Sequence, residues 1–129
     1  MKTVLSLILL CCLIACGSSR NPTPNVAGNW QFNGHSSVSD QDITGSTTIQ
    51  QKGSSVTAGA ITVNGTTCTP MASSSGSIIG TTITIQMSLG NQVLDMTGTI
   101  NSAGNSASGS YTGGCTIGDF GTWSAAKAS

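Results

Sequence analysis

From Gly28 to the C-terminus, apolar and polar residues alternate with a period of two. In "TITIQMSL", Ile83, Ile85, Met87 and Leu89 alternate with Thr84, Gln86 and Ser88. In "VLDMTGTI", Leu94, Met96, Gly98 and Ile100 alternate with Asp95, Thr97 and Thr99. Trp30 and Phe32, Ile61 and Val63, the trio Ala107, Gly109 and Tyr111, and finally Trp123 and Ala125 repeat the pattern. Successive side chains of a strand point to opposite faces, so this alternation specifies strands with one buried face. No stretch after Gly28 shows sustained helical spacing. The chain is predicted to be all-β.

Gly- or Asn-bearing connections separate the runs: "KGSS" at 52–55, "NGTT" at 64–67, "GTT" at 80–82, "GNQ" at 90–92 and "SAGN" at 102–105. They divide the domain into about eight strands, near 29–33, 45–51, 56–63, 73–79, 82–89, 93–100, 106–112 and 121–126. Short connections make consecutive strands antiparallel neighbours, which gives an up-and-down meander. A closed barrel is favoured over a sandwich because closure removes exposed edges. Gly98 and Gly109 fall at in-facing positions, where glycine suits sharp coiling at a barrel corner. Segments 33–44 and 113–121 read as exposed loops.

The N-terminus is a targeting device. Lys2 supplies a positive start, and "VLSLILLCCLIA" (4–15) is an apolar run too short to span a bilayer, which takes ~20 residues. It fits the apolar region of a secretory signal, and the polar switch at Gly17 argues against a buried helix. Leu13-Ile14-Ala15-Cys16 resembles the lipobox of bacterial lipoproteins. The resemblance implies cleavage before Cys16, acylation of its thiol and of the new amino group, and anchoring in the cell envelope of a Gram-negative bacterium. Two or more acyl chains hold a membrane stably where one does not. Gly17, where Asp would retain the protein at the inner membrane, favours the outer membrane. The expected organisation is a signal peptide (1–15), a lipidated Cys16 with a flexible tether (16–27), and a β-barrel domain (28–129).

Removal of residues 1–15 leaves Cys16, Cys68 and Cys115. With Cys16 lipidated, two cysteines remain in an oxidising compartment, and a Cys68–Cys115 disulfide is expected. On the chain-entropy view it would contribute about 4 kcal/mol. The alternative is two free buried thiols.

"GNW" (28–30) resembles the G-x-W element of the calycins, the lipocalin and avidin-like barrels, which implies a tryptophan packed across the barrel bottom. The closing "GGCTIGDFGTWSA" is similar to the end of small envelope lipoprotein domains that carry no assigned catalytic residues. Trp30, Phe32, Tyr111 and Trp123 are candidate ligand-pocket residues, with core packing as the alternative role, and Phe120 is placed with them. A membrane-spanning barrel would need an outward apolar band and aromatic girdles. Two Trp, one Tyr and two Phe do not supply them.

Catalytic constellations are missing from the pattern. Asp40 and Asp42 stand at i, i+2 in a turn-like segment, Asp95 and Asp119 are isolated, and His35 has no nucleophile context. No G-x-S-x-G elbow, C-x-x-C pair or metal-ligand cluster occurs, so no enzyme, cofactor or metal is expected. Asn64-Gly65-Thr66 reads as a hairpin turn. Four basic and four acidic residues leave no net charge to attract nucleic acid. The expectation is an envelope lipoprotein whose barrel is a binding or structural module. Its partner would be another envelope protein, a glycan or a small apolar ligand. The alternatives are a lipocalin-like carrier and an inhibitor of a hydrolase.

Overall fold

The computed structural model describes residues 21–59, 62–64, 74–89, 91–114 and 116–129. The expectations placed on the signal segment, Cys16, Cys68 and Cys115 lie outside the described residues. The described chain forms β1 (Gly28–Ser36), β2 (Gln41–Lys52), β3 (Ser55–Ala58), β4 (Thr62–Asn64), β5 (Ser74–Ile79), β6 (Thr82–Leu89), β7 (Gln92–Ile100), β8 (Ser106–Gly113) and β9 (Phe120–Lys127). All pairings are antiparallel between neighbours in the meander, and β1 pairs with both β2 and β9. That double pairing closes the sheet into a barrel.

β3 and β4 both lie against β2, so together they fill one of eight positions around the barrel. The single strand expected at 56–63 is therefore divided. Ile49 faces Ala58 whereas Ser46 faces Thr62, so the register slips by one residue in between. A slip of this kind bends a strand and increases its twist, which helps a sheet to close.

The segment 33–44, expected as a loop, is a hairpin. Gly34 pairs with Ile43, His35 with Asp42 and Ser36 with Gln41, leaving only 37–40 as the turn. Likewise the second expected loop, 113–121, shrinks to 114–119 between β8 and β9. Asp40 adopts a left-handed φ of 54° at the hairpin turn, a conformation Asp tolerates better than most residues.

The interior follows the alternation. Trp30, Ile49, Val56, Ile78, Ile83, Ile100, Tyr111 and Trp123 form one buried cluster with Val26, Ala58 and Ala107. Gly98 and Gly109 are direct cross-strand partners, and Gly109 also faces Trp123. A Cβ on Gly98 would lie 2.5 Å from both the Ser108 carbonyl oxygen and Trp123 Cζ2. The bare backbone therefore makes the bed for the Trp123 indole, whose N–H donates to the Ser110 carbonyl at 3.0 Å. Outward positions are mostly Ser, Thr, Gln and Asn, as in the ladder Ser77–Thr84–Thr97–Ser110–Thr122. Such a wall does not match the apolar band of a lipid-facing barrel. Among the described residues no helix is long and apolar enough to cross a membrane.

Candidate functional site

The direction of the meander gives the barrel two different ends. Turns 53–54, 80–81 and 101–105 lie at one end, together with the start of β1. The turn 37–40, the start of β5, the β6–β7 turn and the loop 114–119 lie at the other.

The first end is plugged by the residues before β1. Val26 is 1% exposed and belongs to the main core cluster. Its N–H donates to Gln51 Oε1 at 2.7 Å, and Gln51 Nε2 donates to the Pro24 carbonyl at 3.0 Å and the Gly53 carbonyl at 2.9 Å. The Trp30 indole N–H donates to the Val26 carbonyl at 2.7 Å. Lys127 Nζ lies 5.9 Å from the Trp30 ring centre and donates to the Asn25 carbonyl at 3.1 Å. Pro24 and Val26, inside the segment expected as tether (16–27), are thus held against the barrel. Backbone groups here find partners on β2 and β9, and Val26 supplies apolar burial that a free tether would forgo.

At the loop-bearing end the interior is packed differently. Met87 is buried, and Phe32, Leu94 and Met96 lean on it from β1 and β7. Those three, with Ile43 and Ile85, are in-facing but only half-buried. Ser74, the first residue of β5, faces inward opposite Met87 and Ala58. It is 5% exposed, yet its hydroxyl has no hydrogen-bond partner among the described residues.

A polar knot ties two turns together at this end. Asp119 is 8% exposed. Its Oδ1 accepts from Ser36 Oγ at 2.7 Å and from the Phe120 N–H at 2.8 Å, and its Oδ2 accepts from the Tyr111 hydroxyl at 3.3 Å. Ser36 Oγ in turn accepts from the Ser39 N–H at 3.0 Å and the Val38 N–H at 3.3 Å. The carboxylate thus holds the hairpin turn to the β8–β9 loop. Burial, and then the Asp119 charge, push the Tyr111 phenol above its ordinary pKa of 10.0. Tyr111 therefore acts as a hydrogen-bond donor here.

Outside, at the same end, His35 Nδ1 donates to Asp42 Oδ1 at 2.9 Å, and His35 Nε2 stands 3.4 Å from Asp40 Oδ1. The hydrogen bond to Asp42 is the main cause that raises the imidazole pKa above 6.5. Desolvation opposes it, and the charges of Asp42 and then Asp40 add to it. Asp95 lies on the outer wall and accepts from Gln86 Nε2 at 2.8 Å. Among the described residues no three His, Cys, Asp or Glu side chains are grouped to hold a metal ion.

Of the four expected pocket-or-core residues, Trp30, Tyr111 and Trp123 are buried in the main cluster, and Phe32 lies in the looser one. Phe120 is a correction: it is 52% exposed. Asp119, Gly121 and Trp123 share the inward parity, so Phe120 must face out. The same parity would have singled out Asp119 as the buried acid. Ser74 carried no signal, because serine in this barrel is mainly an outward residue. A concavity of about 550 Å³ also lies on the outer wall, lined by uncharged groups including Gln31, Asn33, Thr99, Ser108 and Ser124. No protein-family model and no curated relative matches the chain.

Proposed function

We propose that this chain is a lipid-anchored envelope lipoprotein whose barrel binds a small apolar ligand at its loop-bearing end. The observation that carries the binding role is the half-buried interior cluster of Phe32, Leu94 and Met96 around Met87. At the plugged end the large in-facing apolar side chains are fully buried. Apolar side chains left part-exposed inside a closed wall have surface to gain from a ligand, and methionines adapt to its shape. A carrier of the lipocalin type fits this arrangement and the G-x-W element. The lipobox supports an anchor through Cys16, placed at the outer membrane, with Pro24 as the end of the tether. A Cys68–Cys115 disulfide would join the chain after β4 to the chain after β8.

Binding rather than catalysis is the role we assign. Asp119 is occupied by three donors, and His35 faces two carboxylates on the outer wall. Neither is presented to the interior as a free acid or base. No cofactor enters this reading, and a chain without net charge has no field to draw nucleic acid.

The test is native mass spectrometry of the chain released from its host's envelope. It should carry a small adduct that organic extraction removes. A bare chain that also fails to take up the dye 1-N-phenylnaphthylamine would show a filled barrel and end the carrier reading. The anchor is tested separately by Cys16→Ser, which should take up no labelled fatty acid. Labelling equal to wild type would refute the assignment.

A second reading rests on the rim. Val38, Val93, Ile117 and Phe120 are exposed large apolar residues at the loop-bearing end, with Ile117 at 83%. Such a rim fits a docked envelope protein, including a hydrolase held inhibited. Photocrosslinkers at positions 38 and 117 in cells should capture that partner, and recovery of no protein would exclude it.

A further inference from the structure

We infer that the interior ligand is an uncharged amphiphile whose hydrogen-bonding group meets Ser74 Oγ. This rests on the apolar-ligand reading above and adds the chemistry of the ligand's polar end. Ser74 faces inward at the start of β5, directly opposite Met87, the centre of the looser cluster. It is 95% removed from solvent, and its hydroxyl has no partner among the described residues. A buried hydroxyl with no partner is unfavourable, and native structures satisfy nearly all such groups. A group arriving with the ligand would satisfy this one. The hydroxyl both donates and accepts, so an alcohol, ester or amide suits it.

The charge pattern of the interior excludes an anionic head group. Among the described residues the ionisable side chains that face inward are Tyr111, Asp119 and Lys127. Lys127 is at the plugged end, over Trp30. Asp119 is a buried acid whose oxygens are already bonded to Ser36, Tyr111 and the Phe120 N–H. A carboxylate brought to Ser74 would be desolvated with no described cation at that end of the interior to meet it. A neutral head group avoids that cost.

The experiment displaces 1-N-phenylnaphthylamine from the full chain with octane, 1-octanol and octanoate, at a pH where octanoate is ionised. In wild type, 1-octanol should displace best. Ser74→Ala should weaken 1-octanol about five-fold, the value of one net hydrogen bond. It should leave octane unchanged and melt no lower than wild type without ligand. Equal weakening of octane would mean a packing effect and overturn the assignment. If 1-octanol and octane compete equally in both proteins, the Ser74 contact is wrong while the apolar site stands. If octanoate competes best, the charge argument is wrong. If no dye binds, the apolar-ligand reading itself fails.

Discussion

The two ends of this barrel are built by different means. At the plugged end Val26, Trp30, Ile78, Ile83 and Ile100 are all nearly inaccessible, and Gln51 binds three backbone groups with one amide. At the loop-bearing end order comes from a polar knot centred on Asp119, while Phe32, Ile85, Leu94 and Met96 remain half-buried. Close packing makes a region stiff and intolerant of substitution. Hydrogen bonds can hold turns in place while leaving apolar surface behind them accessible. The contrast separates the part of the molecule that secures the fold from the part proposed to bind a ligand.

The largest expected effect is a difference between two truncations. Trp30→Ala should cost about 3–5 kcal/mol in urea unfolding, because it empties a packed site and removes the indole bond to Val26. Phe32→Ala should cost less than half as much, since the ring has less burial to lose. Equal losses would mean that both ends are packed alike.

Asp119→Asn should come next, at about 1.5–3 kcal/mol, the range for hydrogen bonds to a charged group. Amide exchange should quicken at Val38, Ser39 and Phe120, whose N–H groups depend on the knot. Protection near Val26 and Trp30 should hold. If exchange rises equally at both ends, the knot is not a local device.

The smallest effect is the pH response of His35. Its folded pKa lies above 6.5, so its pairing with Asp42 and Asp40 favours the protonated form. That contribution is fully present below pH 6.5 and is lost as the pH rises through the raised folded value. The stability gap between wild type and His35→Gln should therefore be widest in acid and close in alkali. Because the pair is exposed, added salt should flatten the profile. A gap unchanged by pH would remove His35 from any electrostatic role.

Period-two alternation was enough to specify an all-β chain, and β5 to β9 fall within a residue of the expected runs. Consecutive short turns were enough to specify antiparallel order. The β1–β2 hairpin was not legible beyond Phe32, because its in-facing positions include Gly34, Ser36 and Gly45, which carry no apolar signal. The burial of Asp119 and the exposure of Phe120 were legible in principle from the parity set by Trp123.

What the sequence determined by itself is local: which residues share a face, where the chain turns, and that small residues at Gly98 and Gly109 permit sharp coiling. What only the tertiary structure decided is non-local. It placed Val26 under Trp30, joined Ser36 to Asp119 where β1 meets β9, and left Ser74 without a partner among the described residues opposite Met87. Alternation assigns a side chain to the inside of the wall but does not say how far along the barrel it lies. That height follows from closure of β1 on both β2 and β9, and it decides whether an inward residue is fully buried or left half-buried.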